Sequence, residues 1–286
     1  MEKCFIKVIK ILITGGTGFV AKNLFEQLKG EYKIVSLGSK ELNLLDSTKV
    51  YTYIKRNKFD VIIHTATYDA APKHSKKNPN IVLENNLRMF FNIVRCKEFF
   101  GKMIYFGSGA EFDREHWVPK MAEDYFDKFV PQDQYGYSKY LMTKYTLLNS
   151  EIYNLRLFGV FGKYDDWRTR LISNVCHDVM MNLSPKIEQN KYYDFLYIDD
   201  LVKIVKWFIE NKPKKSIYNV CTGKTIDFET IAKKIIKISG KKLELKIKKG
   251  GIGKEYSGDN SLLLNELKGF EFTQLDYSLK SLYENK

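Results

Sequence analysis

The chain has 286 residues, and its shares of apolar (44%) and aromatic (14%) side chains suffice for one large core with a smaller attached lobe. This composition excludes a disordered chain, and no apolar run approaches the ~18 residues of a membrane span. The first residues run directly into a predicted strand without a cleavage site, so we expect a globular, cytoplasmic protein without a membrane partner.

The net charge of +13 raises the question of nucleic-acid binding, because clustered Lys and Arg attract phosphate backbones. Only seven of the 47 basic residues are Arg, and the lysines are spread along the chain. They are densest at 241–254, where apolar and charged residues alternate as in a strand with one solvated face. We expect no nucleic-acid partner; the charge fits the attraction of an anionic small substrate.

Cysteine and histidine spacings give no sign of a metal site or a disulfide framework. The four cysteines lie far apart without C-x-x-C spacing, at Cys4, Cys96, Cys176 and Cys221. The four histidines form no H-x-x-x-H or H-E pair, at His64, His74, His116 and His177. We therefore expect reduced thiols and no bound metal.

Short β-branched runs alternate with longer amphipathic stretches through the first 160 residues. Strands are predicted at 11–14, 33–37, 61–65, 102–108 and 152–158, and helices at 17–29, 80–100 and 135–149. This alternation predicts an α/β fold, namely a Rossmann-type doubly wound parallel sheet.

The pattern is less regular from 158 to about 190, as expected of a substrate lobe. It resumes with a helix at 199–211 and a strand at 216–221, and a further helix, the basic strand and two short helical pieces follow. We assign 1–160, completed by 192–222, to the dinucleotide-binding domain. The segments 161–191 and 223–286 are assigned to a smaller C-terminal α/β substrate lobe.

A glycine array follows the first predicted strand, in ILITGGTGFVAKNLFEQL. Gly15 permits a tight turn, Gly18 lets the backbone approach a pyrophosphate, and Ala21 allows close packing of helix and sheet. The helix N-terminus supplies free N–H groups for phosphate, at Thr17, Phe19 and Val20. A merely tight turn is the alternative, but the position at the first strand-helix junction favours a cofactor site.

The second strand ends VSLGSK, without the carboxylate that would bind the ribose of NAD. Ser39 and Lys40 would instead accept a 2′-phosphate, so NADP(H) is preferred, with NAD(H) possible. Asp46 is placed to reach the adenine, or it caps the residues after it as a helix N-cap.

A Y-x-x-x-K pair brings a phenol and an ammonium to one helix face. With 19 Tyr and 40 Lys in 286 residues, about three such pairs are expected by chance, and the sequence has three: Tyr51–Lys55, Tyr135–Lys139 and Tyr140–Lys144. Only Tyr135 opens a helix beyond a strand that ends in FGSGAEF and carries Ser108 at its carboxyl end, where open α/β sheets bind ligands. As an alternative, Ser108 is a turn hydroxyl.

In chain order, TGGTGFVA, IIHTAT, FGSGAEF, YGYSK, RLFGVFG and YDFLYIDD resemble the extended short-chain dehydrogenase/reductase family, also called the NAD-dependent epimerase/dehydratase family. The likeness covers nearly the whole chain, and ELNLLDSTKV is most similar to the GDP-L-fucose synthase branch. The resemblance implies that Tyr135 is the general acid/base, that Lys139 holds the nicotinamide ribose and lowers the Tyr135 pKa, and that Ser108 hydrogen-bonds the reacting oxygen. It also implies that Ala66 lines the cofactor site and Asn86 the active site.

Departures from the family pattern restrict the reaction. Dehydratases of the family have Asp-Glu after the catalytic hydroxyl residue, and this chain has Gly109 and Ala110. Fucose synthases epimerise with a cysteine and a histidine, and the matching positions are Ala110 and Arg170, neither of which can do that work. If the alignment is shifted, His177 takes the place of the histidine.

The sequence therefore predicts an NADPH-dependent reductase of a nucleoside-diphosphate 4-keto sugar that transfers hydride without epimerising, for surface-glycan synthesis. An NAD-dependent sugar-nucleotide 4-epimerase and a dinucleotide-binding scaffold are the alternatives. The family's usual Asn and Arg are replaced by Gly159 and Tyr193. The substrate diphosphate is expected to bind other cations, among Arg168, Arg170, Lys191 and Lys254. In the family the helices at 80–100 and 135–149 pair in a four-helix bundle, which predicts a homodimer.

Overall fold

The structure, a computed structural model, describes residues 8–70 and 75–284, so Cys4 and His74 lie outside the described residues. The strands are β1 Lys10–Thr14, β2 Lys33–Leu37, β3 Phe59–His64, β4 Phe100–Ser108, β5 Ile152–Leu157, β6 Gly159–Phe161, β7 Lys186–Asn190, β8 Tyr192–Tyr197, β9 Ile217–Val220, β10 Thr225–Asp227 and β11 Lys246–Ile252. The helices are α1 Phe19–Leu28, α2 Ser47–Asn57, α3 Val82–Val94, α4 Gln134–Thr146, α5 Leu171–Met180, α6 Ile198–Glu210, α7 Phe228–Ser239, α8 Ser261–Glu266 and α9 Leu275–Glu284.

Six parallel strands form the central sheet, in the order β2-β1-β3-β4-β5-β9. Helices α1 and α6 pack together, and α3 packs between α2 and α4. The predicted Rossmann-type parallel sheet is confirmed. The strand order reverses between β1 and β3, and such a reversal opens a crevice at the carboxyl ends of the strands.

The sheet is apolar on both faces because helices cover both. Ile11 and Ile13 point into one buried cluster and Leu12 into another, as alternation along a strand requires. All three side chains are fully buried. This packing fixes the end of β1, and therefore the turn that follows it.

Two smaller sheets lie outside the central one. Strands β10, β8 and β6 form a three-stranded sheet, and β11 pairs in parallel with β7. Helix α7 packs against α5 and α9. Of the segment 192–222, α6 and β9 join the central layers, whereas β8 belongs to the three-stranded sheet. Every residue of β11 is exposed, so this basic strand is solvated on both faces rather than on the one face that was predicted.

Helix α2 was not predicted as an element of its own. Its apolar residues Val50 and Ile54 are buried, and it follows Asp46, for which a helix N-cap was one of the two alternatives. The three cysteines within the described residues, Cys96, Cys176 and Cys221, are buried and are not joined in disulfides. No helix in the described part of the chain is long and apolar enough to cross a membrane.

Candidate active site

A backbone cradle follows β1 at the point where the strand order reverses. Gly15 has φ of +72°, and a Cβ on it would lie 2.8 Å from the N and Cα atoms of Ala66. Gly18 is the N-cap of α1, and no side chain of the described residues caps that end, so the amides of Phe19 and Val20 in the first turn are available to a ligand. The cradle fits a pyrophosphate, since a helix N-terminus favours anions.

The end of β2 carries a carboxylate that the sequence reading did not place there. Glu41 Oε2 accepts a hydrogen bond from the Gly38 N–H across 2.9 Å. A Cβ on Gly38 would also lie 3.1 Å from Thr17 Cγ2, so the strand end and the glycine loop adjoin. Ser39 and Lys40 are exposed beside them. Both an anion and a cation thus flank the adenosine side of the crevice.

Asp46 acts as the N-cap of α2. One of its carboxylate oxygens accepts the Lys49 N–H at 3.0 Å, and the other lies 3.2 Å from Lys49 Nζ. These bonds, first the one to the Lys49 backbone, lower the Asp46 pKa. The helix-cap alternative therefore describes this side chain, and the expected contact with adenine has no support in its geometry.

The catalytic residues that the resemblance implies converge at the carboxyl end of β4. Ser108 ends that strand, and Tyr135 lies in the first turn of α4, which Asp133 caps by accepting the Gly136 N–H at 2.8 Å. Lys139 is buried (4% exposed). Its Nζ donates to the Phe106 carbonyl oxygen at 2.9 Å and lies 5.8 Å from the centre of the Tyr135 ring.

The pKa of Tyr135 is raised to about 12, first by burial and then by the negative charge of Asp69. Arg170, the hydroxyl of Ser108 and Arg114 act in the opposite direction. The phenol therefore stays protonated near neutral pH, as a general acid must. Arg170 and Arg114 are thus cations that lower this pKa.

Burial lowers the pKa of Lys139 to about 8, while the carboxylates of Glu111 and Asp69 raise it. The ammonium is thus close to losing its proton in weakly alkaline solution. It lies at the sheet edge near the neutral side chain of His64, whose own pKa is lowered by burial to about 3.

The other two Tyr–Lys pairs lie elsewhere. Tyr140 donates to Asp127 Oδ1, and Lys144 Nζ lies 2.8 Å from Asp127 Oδ2. Tyr51 and Lys55 are on α2, with the ammonium 5.5 Å from the ring centre. Of the three pairs, only Tyr135–Lys139 adjoins Ser108.

Tyr256 is an active-site residue that the sequence reading missed. A Cβ on Gly109 would lie 2.6 Å from Tyr256 Cε2, so the ring fills the space beside Ser108. Burial raises the Tyr256 pKa, and a hydrogen bond with Ser108 lowers it. The ring is stacked on Trp117, with ring centres 4.2 Å apart. Its distance in sequence from the Y-x-x-x-K motif left no signal by which to find it.

The predicted substrate cations are not gathered in one place. Arg170 begins α5 and acts on Tyr135, so it lies at the site. Arg168 is exposed and paired with Asp166 at 2.9 Å. The Lys254 ammonium donates to the Glu115 carbonyl oxygen at 2.8 Å.

Lys191 lies against the Gly253 backbone, where a Cβ would be 2.8 Å from its Cε. Arg168 and Lys254 are exposed and Lys191 is half-buried. Arg170 is exposed as well, and its charge lowers the pKa of Tyr135.

Asn86, which is expected at the active site, forms hydrogen bonds within the chain. Its Oδ1 accepts the Tyr68 N–H at 2.7 Å, and its Nδ2 donates to the Tyr68 carbonyl oxygen and to Ser138 Oγ. The side chain is 1% exposed. It fastens the loop after β3 to α3 and α4, and these bonds occupy both of its polar atoms.

Among the described residues, no group of three or more His, Cys, Asp or Glu could hold a metal ion. His64 Nδ1 is 2.8 Å from Thr14 Oγ1 inside the sheet, in agreement with a structural role. His177 is stacked on Trp167, with ring centres 3.7 Å apart. Arg170, the N-cap of α5, lowers the pKa of Tyr135 by its charge.

One protein-family model, described as the NAD dependent epimerase/dehydratase family, matches residues 11–221. The chain belongs to this family. Its members are NAD(P)-dependent enzymes that act on sugar nucleotides, and the cradle and the Ser108–Tyr135–Lys139 group lie within the matched range. A curated relative, the ADP-L-glycero-D-manno-heptose-6-epimerase of Brachyspira hyodysenteriae, is 24% identical over 263 residues, which cover 78% of this chain and 79% of the relative.

Solved structures of family members share the fold over almost the whole chain. A GDP-L-fucose synthetase from Naegleria fowleri has a TM-score of 0.83 at 18% identity and covers 96% of this chain and 92% of its own. The GDP-mannoheptose C4 reductase from Campylobacter jejuni, solved with NADP, has a TM-score of 0.84 at 18% identity, with 97% and 98% covered. The UDP-glucose 4-epimerase from Thermotoga maritima has a TM-score of 0.83 at 19% identity, with 96% and 98% covered. Reductases and epimerases are thus equally similar in fold.

Proposed function

We propose that the protein is an NADPH-dependent reductase of a nucleoside-diphosphate 4-keto sugar and that it does not epimerise its substrate. The observation that carries this proposal is the set of residues that surround Ser108. A protonated phenol, Tyr135, lies beside it, whereas the two following positions hold Gly109 and Ala110. The Tyr256 ring occupies the space that a side chain at 109 would need, which leaves no room there for a dehydratase carboxylate.

In the proposed reaction the residues of this chain transfer a single proton. The bound dinucleotide supplies a hydride to the keto carbon. Ser108 donates a hydrogen bond to the keto oxygen, and Tyr135 transfers its phenolic proton to that oxygen as the negative charge develops. The products are a hydroxyl group on the sugar and a phenolate, which regains a proton from water. Lys139 holds the ribose of the dinucleotide and faces the phenol.

The dinucleotide itself would lie in the cradle, with its pyrophosphate on the amides of Phe19 and Val20. For the sugar nucleotide, Arg170 is the cation best placed to hold an anionic group near Tyr135. We propose that the remaining substrate contacts come from the lobe, 161–191 and 223–286. Arg168, Lys191 and Lys254 would contribute from its surface if the lobe moves on binding.

An NAD-dependent 4-epimerase is the second candidate, and two observations favour it. Glu41 brings a carboxylate to the end of β2, where an acid favours the free ribose hydroxyls of NAD over a 2′-phosphate. The curated relative is itself an epimerase. Against this, Lys40 offers a cation to the 2′-phosphate of NADP(H), which a 4-epimerase that recycles NAD does not need.

Cofactor binding separates the two candidates at the end of β2. We expect tighter binding of NADPH than of NADH by calorimetry, and Lys40→Ala should weaken NADPH alone, because only the 2′-phosphate meets that cation. Glu41→Gln is the matched variant and should improve NADPH binding. Tighter binding of NADH, or NAD retained through purification, would favour the epimerase.

Turnover in deuterated water tests the reaction. We expect consumption of NADPH with a 4-keto sugar nucleotide and a product without deuterium at the carbons that flank the ketone, because no proton is exchanged there. Deuterium at either carbon, detected by mass spectrometry and NMR, would refute a pure reductase. Its loss in Tyr256→Phe or in His177→Ala would then identify the second acid/base group.

We also propose a cytoplasmic homodimer that pairs through α3 and α4 and serves surface-glycan synthesis. The dimer is supported by the exposed apolar side chains of Phe91, Leu147 and Leu148, which lie on and beside these helices. The family resemblance supports all three parts of this proposal. Light scattering at micromolar concentration should give the mass of two chains. A monomer would remove the dimer and leave the catalytic proposal intact.

A further inference from the structure

A buried ion pair lies directly behind the catalytic serine. Glu111 and Arg156 are both fully buried, and Arg156 Nε donates to Glu111 Oε2 across 2.9 Å. Replacing such a pair by apolar residues is often neutral or stabilising, because taking two charges out of water is costly. Stability alone is therefore a weak reason for this pair.

The network around the pair is also incomplete. Asn154 Nδ2 donates to Glu111 and to Thr143 Oγ1, and Arg156 Nη1 donates to Asn219 Oδ1 at 3.0 Å. Among the described residues, Arg156 Nη2 and Asn154 Oδ1 have no hydrogen-bond partner. A partly satisfied buried network is less favourable than an apolar core. A role for Glu111 other than stability follows from the groups that its carboxylate holds in place.

Glu111 joins the two elements that carry the catalytic groups. Its Oε1 accepts the Ser108 N–H at 2.9 Å, in a capping box at the end of β4. Its Oε2 accepts the Thr143 hydroxyl at 2.8 Å. Thr143 lies on α4 four residues after Lys139, and Tyr135 lies four residues before that lysine, so all three share one helix face. The Glu111 carboxylate thus bonds both to the end of β4, which carries the Ser108 hydroxyl, and to α4, which carries Tyr135.

There is little space in which this carboxylate could shift. A Cβ on Gly107 would lie 2.2 Å from Glu111 Oε1 and 2.2 Å from Asn154 Oδ1. The carboxylate is therefore packed against the backbone that precedes Ser108. Glycine at 107 is required by this contact rather than by its backbone conformation.

We propose that Glu111 is a positioning residue that fixes the Ser108 hydroxyl relative to Tyr135 and Lys139. It touches no reacting atom and acts through the strand end and the helix that it connects. A displacement of about 1 Å in a catalytic group can lower a rate by about 10²-fold. The turnover readout of this inference rests on the proposed function, whereas its second readout below does not.

The charge of Glu111 also reaches Lys139. The groups that face this ammonium are Glu111, Asp69 from the loop after β3, neutral His64 from β3, and the Tyr135 ring on its own helix. Both carboxylates favour the charged lysine against the effect of burial. Removing the charge of Glu111 should therefore lower the pKa of Lys139, which a purely structural role would not do.

Two threonines of α4 provide a matched pair of variants. Thr143 and Thr146 are both fully buried, but the Thr146 hydroxyl donates to the Met142 carbonyl oxygen and to Tyr105, not to Glu111. Thr143→Val should lower kcat about tenfold or more with unchanged dinucleotide affinity. Thr146→Val should leave kcat near the wild-type value. Equal kcat in both variants would overturn the positioning role.

The second readout needs no substrate. In ¹³C-lysine NMR, with Lys139→Arg to assign the signal, the titration midpoint of Lys139 should be lower in Glu111→Gln than in wild type and unchanged in Thr143→Val. An unchanged midpoint in a folded Glu111→Gln would contradict the electrostatic part of the inference. If wild type turns over no 4-keto sugar nucleotide, the proposed function fails while this titration still decides the role of Glu111.

Discussion

Helix α4 carries two Tyr–Lys pairs of identical spacing in two different surroundings. Tyr135 and Lys139 face the edge of the central sheet beside Ser108. Tyr140 and Lys144 face Asp127 at the surface. The pKa of both tyrosines is raised to about 12, but burial is the main cause at Tyr135 and the hydrogen bond to Asp127 is the main cause at Tyr140. The same pattern therefore lies at the candidate active site in one place and at the surface in the other.

The two lysines differ more than the two tyrosines. Lys139 is buried, and its pKa is lowered to about 8. The Lys144 side chain is 46% exposed and forms an ion pair of the kind that contributes little to stability. The difference teaches that the position relative to the strand ends, rather than the motif, gives the first pair its chemistry.

The largest expected effect separates the two tyrosines. Tyr135→Phe should lower turnover by about 10²-fold or more and leave NADPH binding nearly unchanged, because it removes a positioned acid and little packing. Tyr140→Phe should leave turnover unchanged. Steady-state kinetics with a 4-keto sugar nucleotide and calorimetry with NADPH measure both quantities.

If Tyr135→Phe and Tyr140→Phe had the same turnover, the two Tyr–Lys pairs would not differ in function. Near-normal turnover in Tyr135→Phe would assign the proton to another group, with Tyr256 as the nearest phenol beside Ser108. A loss in Tyr140→Phe would instead implicate the surface pair.

A smaller effect separates the lysines. The pKa of Lys139 is lowered to about 8, so its charge is present below that pH and is lost as the pH rises through it. We expect kcat/KM to fall over this range in wild type, because this ratio reports groups of the free enzyme. Lys139→Met should lower dinucleotide affinity about tenfold and remove this dependence. Lys144→Met is the control and should retain the wild-type profile.

Features set by local sequence were predicted well. The strand at 33–37 is observed as predicted, and the strand at 11–14 gains one residue. The Gly15 turn is observed as predicted, and α4 starts at Gln134, one residue before the predicted start at Tyr135. These features bring Ser108, Tyr135 and Lys139 together, so the centre of the site could be derived from motifs.

Contacts between distant segments could not be derived. Tyr256 reaches Ser108 across more than half of the chain. Glu41 was missed for a different reason, because it folds back onto Gly38 through a local turn that has no strong signature. Asn86 matched a motif, but its tertiary contacts with Tyr68 and Ser138 are structural. The S-x-x-E pattern of a capping box was present at Ser108–Glu111 and was the one available signal for that carboxylate.

The smallest expected effect is the contribution of the Tyr140–Asp127 hydrogen bond to the free energy of unfolding. Tyr140→Phe removes the hydrogen bond to Asp127, whose side chain is 47% exposed, so the free energy of unfolding should fall by about 1 kcal/mol or less. Asp127 has φ of +74°, which Asn tolerates, so Asp127→Asn completes a double-mutant cycle without new backbone strain. Urea unfolding of the four proteins gives the coupling energy.

The pH dependence of that coupling follows from the two pKa shifts. The Tyr140 pKa is raised, so its contribution is present below the ordinary tyrosine pKa of about 10 and is lost as the pH rises through about 12. The Asp127 pKa is lowered by its bonds to Lys144 and Tyr140, so its contribution is present above the ordinary aspartate pKa and is lost only in more acidic solution. The coupling should therefore be constant between about pH 6 and 9. A coupling that disappeared near pH 8 would mean that this pair shares the titration of Lys139, and the two pairs of α4 would then not be independent.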